Sequence, residues 1–337
     1  MTKLKLLFGI LIAALVLTVP AASALAAPPA NGFTAKIVAF SGETISGNVD
    51  ATGYDLGIYV GPGVHNVLIK GVKVSGANDE GILVQDAANI VIENSTISNN
   101  AVNAYPGLDE IKAIGLAGST NVLVRNNIVE DNMHGGIGVY DDGPNSPFAA
   151  VAIDKTPVAG ADNVINGNIV RRNANDCGIV IAAKNPDGGV YDNLVLKNTV
   201  TGGWSGTPGS SLPYVGGIIV AGGAAGPVNV TNTIVLHNVV TGGLIPGIAL
   251  HAFGPGNITG TKLIGNLLSD NGAGELSKNT TGIEMFAVPH VGVISGTKIL
   301  SDKISNDFYG VWQDNATGTQ IAHLITHNVT NPVVTLP

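Results

Sequence analysis

The sequence is poor in cysteine, aromatic residues and charge. It has one cysteine among 337 residues, so no internal disulfide can form. Aromatic residues make up 5% and charged residues 12%, whereas 45% of the residues are hydrophobic. This composition excludes a chain kept disordered by charge and also a coiled coil. Acidic residues outnumber basic ones, 24 against 16, which disfavours a nucleic-acid partner.

Long uninterrupted hydrophobic runs are absent after the first 26 residues. Residues 1–26 combine Lys3 and Lys5 with an apolar run and a final Ala24-Leu25-Ala26, a layout that predicts a cleaved secretory signal peptide. The alternative is a retained anchor, but the run is short for a membrane span and lacks a basic stop-transfer flank. We therefore expect a secreted, periplasmic or cell-surface protein with no membrane span after signal removal.

Helical spacing is nowhere sustained, and short segments alternate with a period of two. A motif of Gly, an aliphatic residue, a variable residue and another aliphatic residue recurs along the chain. A second short segment follows each copy, and turns rich in Gly and Asn separate the two. The copies begin at Gly57, Gly81, Ala113, Gly136, Gly178, Gly217, Gly247, Gly282 and Gly310.

A repeat unit this small cannot close its own core, so successive units must stack into a solenoid. We predict an all-β, single-stranded parallel β-helix of about nine turns over residues 57–337, with an N-terminal cap and leader at 27–56. Isoleucines such as Ile137 and Ile179 should stack inside, and the alternate residues should face outward.

A column of asparagines is expected at the bend after the second strand, because Asn tolerates left-handed backbone and its amides can form a ladder. The column has one substituted turn, which carries an aspartate. Its expected members are Asn127, Asn168, Asn198, Asn238, Asn266, Asp302 and Asn328.

The repeat resembles that of the pectin-lyase-like superfamily of right-handed parallel β-helices. The resemblance covers roughly Gly57 to Asn328. It implies the fold, while the activities of the superfamily range from polysaccharide lyases, hydrolases and epimerases to non-catalytic surface proteins and a periplasmic protein of copper-site maturation. The segment from Asn175 to Lys184 looks like the Asp-Asp-Cys strand of polygalacturonases, but it has one Asp and an inserted Gly, and no downstream Gly-His-Gly follows.

Two long insertions indicate where a site could lie, since insertions in solenoids are commonly functional loops. One runs from Asp141 to Ala161 and the other from Trp204 to Val215. They should wall a floor of small outward-facing residues that leaves room for a sugar chain. The alternative is that closely packed turns simply require glycine. The floor residues are Gly136, Gly138, Gly178, Val180 and Ala182.

Titratable residues surround this floor. The candidate catalytic residues are His134, Asp141, Asp142, Asp176 and Lys184, because paired carboxylates serve hydrolysis and carboxylates with a basic residue serve uronate elimination. Ca²⁺ would be a possible cofactor only for a lyase, and no metal ligands are assigned. For the Asp141-Asp142 pair and Lys184, ordinary turn chemistry is the competing interpretation.

Three aromatic residues, Tyr140, Trp204 and Tyr214, are candidate sugar-stacking residues, or they pack the insertions down. The predicted partner is a polysaccharide, which the chain binds and cleaves by elimination or hydrolysis. A non-catalytic surface or structural solenoid is the alternative. A metal-delivery role is the third interpretation. His251, Glu284 and His290 together could hold a metal, although their spacing is not a recognised ligand signature.

Overall fold

The computed structural model describes residues 29, 32–102, 112–144, 156–174, 176–202, 216–223, 226–274 and 276–336. All regular structure in these residues is β-strand. None of them forms a helix that could cross a membrane. The predicted signal peptide, residues 1–26, lies outside the described residues.

The strands form three sheets that run along the molecule, and neighbouring strands within each sheet pair in parallel. The first sheet has eleven strands: Ala35–Val38, Leu56–Val60, Ile82–Gln85, Lys112–Ala117, Gly135–Tyr140, Ile179–Ala183, Ile218–Gly222, Ile248–Ala252, Thr281–Ala287, Tyr309–Asp314 and Asn331–Leu336.

The second sheet has eighteen strands in two adjoining rows. Thr44–Asp50 and Leu68–Ser75 begin it. One row continues with Val91–Glu93, Leu123–Arg125, Val164–Asn166, Leu194–Leu196, Ile234–Leu236, Lys262–Ile264, Lys298–Leu300 and Gln320–Ala322. The other contains Thr96–Ser98, Ile128–Glu130, Ile169–Arg171, Thr199–Thr201, Val239–Thr241, Leu267–Ser269, Lys303–Ser305 and Ile325–His327.

The third sheet has six short strands and begins only in the middle of the chain. Its strands are Gly160–Ala161, Val190–Tyr191, Val228–Thr231, Gly256–Thr259, Val293–Ser295 and Ala316–Thr317.

The register of the first sheet places equivalent residues of successive turns side by side. Ile137 pairs with Ile179, and Ile179 pairs with Ile218. All three are fully buried in one aliphatic core that runs through the molecule. The predicted parallel stacking is therefore confirmed. The first sheet has two strands more than the nine motif copies, because its first and last strands lack the glycine motif.

The segment predicted as a cap already contains sheet strands. Ala35–Val38 pairs with Leu56–Val60, and Thr44–Asp50 pairs with Leu68–Ser75. The stacked architecture thus starts within residues 27–56.

The asparagine column forms a hydrogen-bonded ladder. The side-chain amide of Asn168 donates a hydrogen bond to Oδ1 of Asn198 at 3.0 Å. The side-chain amide of Asn198 donates in turn to Oδ1 of Asn238, also at 3.0 Å. The same pattern links Asn127 to Asn168 and Asn266 to Asp302. All the ladder side chains are buried, so each bond satisfies a group that water cannot reach.

Two details of the ladder differ from the sequence prediction. The left-handed residue at each bend is the one before the ladder residue, such as Lys197 with a φ of 54°. Asn328 is exposed with a φ of 52° and bonds Asn306, so its assignment to the buried column is wrong. It lies at the next bend of its turn. In turns nearer the N-terminus, the equivalent bend carries a second ladder, which runs from Asn100 through Asn132 to Asn173.

The motif glycine at Gly136 faces the core and not the solvent, contrary to the prediction. A Cβ there would lie 2.5 Å from Cγ1 of the core residue Val170 and 2.4 Å from the carbonyl oxygen of Gly178. The chain bends inward as it enters the strand, and only a residue without a side chain allows adjacent turns to approach this closely.

Candidate functional site

The outer face of the first sheet is the surface on which the sequence analysis placed the site. Gly138 pairs with Val180 and Tyr140 pairs with Ala182. Gly138, Val180 and Ala182 lie on this face as predicted for the floor, and Tyr140 lies beside them. The face is not open, however. Val180 is 5% exposed and Ala182 1%, because they belong to a second apolar cluster separate from the core. This cluster extends from Phe33 to Ala249 across successive turns.

A buried ion pair lies at the N-terminal ends of these strands. The ammonium group of Lys112 donates to Oδ2 of Asp176, and both residues are buried. The lysine stem runs over two glycines. A Cβ at Gly135 would lie 2.7 Å from Cδ of Lys112, and one at Gly138 would lie 2.8 Å from its Cγ. The glycine floor therefore accommodates a lysine side chain.

Sequence reasoning identified Asp176 but missed Lys112. The available signal was a single charge at the start of an apolar strand, Lys112–Ala117, all of whose residues are buried. A lysine is rarely buried unless it is paired, so this position implied a carboxylate partner.

A second carboxylate, Glu80, lies on the same edge of the sheet, one turn before Lys112. It is 1% exposed, and neither of its carboxylate oxygens has a hydrogen-bond partner among the described residues. Burial, reinforced by the charge of Asp79 and opposed by that of Lys112, raises the pKa of Glu80 well above its usual value. Burial therefore favours the protonated form of this carboxyl group.

Cys177 and His134 border the ion pair. Cys177 is buried beside Asp176, and burial together with the charge of Asp176 raises the pKa of its thiol well above the ordinary range. Such a thiol is not a nucleophile at neutral pH. His134 is half-buried and precedes Gly135, which pairs with Lys112. It is the most accessible of the candidate catalytic residues at this edge.

Asp141 occupies the opposite end of the strand and is fully buried. Its carboxylate accepts three backbone N–H bonds, from Lys184 at 2.8 Å, Asn185 at 2.9 Å and Gly189 at 3.0 Å. Burial raises the pKa of Asp141, and these hydrogen bonds oppose the rise. Asp141 and Lys184 are thus brought together, but the contact uses the backbone amide of Lys184.

Asp142 is buried next to Asp141 and has other partners. It accepts hydrogen bonds from Nε2 of Gln85 at 2.7 Å and from the backbone of Gly143 at 2.8 Å. Gln85 in turn accepts a hydrogen bond from the Tyr59 hydroxyl at 3.0 Å. Burial, together with the charges of Asp86 and Asp142, raises the pKa of that phenol.

The candidate residues therefore form two groups. Asp176 and His134 precede neighbouring strands, whereas Asp141, Asp142 and Lys184 follow them. Four strand residues span about 13 Å, so the two groups lie on opposite edges of the sheet. Tyr140 is fully buried between them, with its ring centre 5.8 Å from the ammonium nitrogen of Lys112. Trp204 and Tyr214 lie outside the described residues.

His251 and Glu284 are adjacent on the same outer face, farther along the molecule. Nε2 of His251 lies 3.1 Å from Oε1 of Glu284, and both side chains are 1% exposed. Burial acts to raise the pKa of Glu284, but its hydrogen bonds to His251 and Ser277 prevail and lower it. His290 lies in an exposed turn, and no group of three potential metal ligands occurs within the described part of the chain.

Comparisons with known proteins identify the fold. Residues 30–153 match a family model described as a right handed beta helix region. No curated protein sequence gives a significant match.

Several solved structures resemble this one at low sequence identity. PfbA, a surface adhesin of Streptococcus pneumoniae, is 12% identical with a TM-score of 0.58, and the match covers 91% of this chain and 73% of that one. The Dettilon tailspike protein is 12% identical with a TM-score of 0.50, over 87% of this chain and 60% of the tailspike. The A-module of an Azotobacter vinelandii mannuronan C-5 epimerase is 17% identical with a TM-score of 0.45, over 87% and 78%.

At such identities the likeness concerns the fold alone. Together with the stacked parallel strands, the match over residues 30–153 shows that this chain has the right-handed parallel β-helix fold.

Proposed function

We propose that this protein is exported, binds a polysaccharide on the outer face of its first sheet and cleaves it. The observation that carries the proposal is the Lys112–Asp176 pair on its glycine floor. A buried ion pair contributes little to stability, because desolvating two charges costs several kcal/mol per ion. A pair maintained next to a buried carboxyl group with a raised pKa, that of Glu80, is better explained by chemistry than by folding.

The cluster suits hydrolysis of a glycosidic bond. Glu80 would donate its proton to the leaving oxygen as that oxygen separates from the anomeric carbon. Asp176 would take a proton from the water whose oxygen forms the new bond to that carbon. Lys112 would orient Asp176 through their ion pair, and the apolar surroundings would strengthen these interactions.

Elimination from a uronate is the other reaction that the cluster can serve. Lys112 would neutralise the sugar carboxylate, a base would remove the proton on the adjacent carbon, and the glycosidic oxygen would leave as the double bond forms. His134 is our candidate for that base because it is half-buried at the same edge. A Ca²⁺ ion could neutralise the sugar carboxylate in place of Lys112, in which case turnover would depend on Ca²⁺.

The remaining candidate residues have supporting roles in this proposal. Asp141 positions the loop 184–189 through its three amide contacts, and Asp142 fixes Gln85. Lys184 contacts the sugar from the opposite edge, and Trp204 and Tyr214 provide aromatic surfaces for stacking. Tyr140 was a candidate for the same role, but it is fully buried and packs within the second apolar cluster.

The test is turnover of a panel of neutral and acidic polysaccharides, with Ca²⁺ and with a chelator. New reducing ends alone indicate hydrolysis, and ultraviolet absorbance of an unsaturated uronate indicates elimination. Glu80→Gln and Asp176→Asn should each reduce turnover by about 100-fold or more. Lys70→Met, at an exposed position on the second sheet, is the control and should leave turnover unchanged. Wild-type rates in both cluster variants would refute the catalytic assignment.

A non-catalytic surface role is the second candidate function. Two observations favour it: the carboxylates of Asp141 and Asp142 are fully engaged within the protein, and the floor residues are buried. This role predicts binding of a polysaccharide without any turnover across the same panel.

A further inference from the structure

A second groove lies on the outer face of the second sheet, in the C-terminal half of the molecule. It encloses about 430 Å³ and is lined by residues of four successive strands, from Val239–Thr241 to Ile325–His327. Sites for small ligands span roughly 300 to 1,000 Å³, so the groove is large enough for a short oligomer.

Two columns of side chains form this groove. In one column Leu267 pairs with Lys303, which pairs with Ile325. In the other, Thr241 pairs with Ser269, which pairs with Ser305. An aliphatic column thus runs beside a hydroxyl column, and both follow the length of the groove.

The aliphatic members are unusually exposed. Leu267 is 43% exposed in a strand with neighbours on both sides, and Ile325 is 52% exposed in the last strand of its row. Sugars have apolar faces with hydroxyl groups at their edges. A saccharide lying along the groove could therefore cover Leu267 and Ile325 while the hydroxyl column bonds its edge.

The charge of the groove favours an anionic ligand. Lys303 lies between the two exposed aliphatic residues and forms no ion pair with any described residue. Arg171, in an earlier strand of the same row, is by contrast paired with Glu130 at 2.6 Å. An unpaired ammonium in a groove, on a chain of net charge −8, is complementary to a carboxylate.

We propose that this groove is a secondary binding site for acidic saccharides, in which Lys303 pairs with a uronate carboxylate. The inference rests on the proposed function in one respect, that the protein acts on a polysaccharide. It specifies that the polymer contains uronates. The groove would bind one part of the polymer on the second sheet and so keep the rest of the polymer near the Lys112–Asp176 cluster.

A second copy of this protein is the competing occupant, because exposed aliphatic side chains also mark contacts between proteins. Lys303 argues against it, since a lysine facing its own counterpart across a symmetric contact would be repelled. Light scattering decides this point. A dimer that dissociates on Leu267→Ser would overturn the saccharide proposal.

The experiment measures binding of tetrasaccharides by calorimetry at low salt. The probes are tetragalacturonate, tetramannuronate and tetraguluronate, with neutral cellotetraose for comparison. Wild-type protein should bind at least one uronate tetramer and prefer it to cellotetraose. Lys303→Ala should weaken that binding by about tenfold or more, as expected for loss of a charge-assisted contact.

Lys298→Ala is the matched control. Lys298 is exposed and lies in the same turn as Lys303, so its substitution removes the same charge. It belongs to the adjoining row of strands and does not line the groove. The affinity of Lys298→Ala for the uronate tetramer should stay within about twofold of the wild-type value. Equal losses of affinity in both lysine variants would indicate nonspecific electrostatic attraction and would overturn the inference. Failure of all three uronate tetramers to bind would also overturn it.

The two proposals fail separately. If the wild type degrades a polymer and Lys303→Ala binds and degrades it equally well, the groove is not a binding site but the cluster assignment stands. If uronate binding depends on Lys303 and no turnover occurs, the groove stands and cleavage is refuted. Glu80→Gln should abolish turnover and leave Lys303-dependent binding intact.

Discussion

Asp302 shows how one residue makes the stability of the fold depend on pH. It ends the asparagine ladder by accepting hydrogen bonds from the backbone and side-chain nitrogens of Asn266, at 2.8 and 2.7 Å. Its other oxygen, Oδ2, is buried without a hydrogen-bond partner among the described residues. Burial raises the pKa of Asp302 to about 6, against the opposing effect of the Asn266 bonds.

Because its pKa is raised on folding, Asp302 binds a proton more tightly in the native state than in the unfolded chain. The contribution of Asp302 to the free energy of unfolding is therefore fully present below 3.8, the pKa in the unfolded chain. It is lost as the pH rises through the folded-state pKa of about 6. We predict that Asp302→Asn, which supplies an amide without charge, stabilises the protein by about 1 to 3 kcal/mol at pH 8 and little at pH 4. Urea melts at the two pH values measure this. Asp270→Asn, at an exposed turn, should show no such difference.

Asn198 tests the ladder itself. It donates to Asn238 and to the carbonyl oxygen of Ile165, and it accepts from the backbone and side chain of Asn168. Asn198→Ala leaves several of these buried groups unsatisfied, so we expect a loss of roughly 1 to 3 kcal/mol in the free energy of unfolding. The control is Asn257→Ala, whose exposed bond to Asn229 should matter by less than about 0.5 kcal/mol. Equal denaturant midpoints for the two variants would contradict a structural ladder.

At the scale of the strand, the stacked core predicts intolerance to charge. Ile179 pairs with Ile137 and Ile218 and is fully buried. Ile179→Asp would bury an unpaired carboxylate and should prevent soluble expression. Ile179→Val should fold and lose only about 0.5 to 1.5 kcal/mol, because it removes one methylene from the same packing. Soluble expression of Ile179→Asp with wild-type melting would contradict the register.

The sequence could predict these elements because each turn repeats the same physical problem. Ile137 and Ile179 were predictable from alternation, and the ladder from Asn198 to Asn238 was predictable from its fixed place in the repeat. Asn328 could not be distinguished from a ladder member, because both bends of a turn accept Asn and only the backbone conformation separates them.

The site was harder to predict for a related reason. Asp141 and Asp176 were identified, but the sequence does not show that one accepts three backbone amides while the other pairs with Lys112. That pairing joins residues two turns apart across a glycine surface, which no local pattern encodes. The burial of Val180 was missed because alternation alone cannot tell a solvent-facing side of a strand from one that packs a second time.

At the scale of the whole molecule, the direction of the hydrogen bonds determines how the protein responds to force. The sheet bonds and the ladder from Asn127 to Asp302 connect one turn to the next, so they run along the long axis of the rod. Tension applied at the two ends therefore loads every turn interface in series, and the weakest interface ruptures first. Since each turn contacts only its neighbours, rupture at an end leaves the remaining interfaces intact.

We predict that optical tweezers pulling along this axis will record a series of small extensions, each as long as one unfolded turn. A single large rupture would contradict this prediction. A rod that gives way in this manner absorbs mechanical work gradually, whereas a globular domain releases its load in one event. The same geometry that makes the core continuous therefore also lets the molecule lengthen in steps under load.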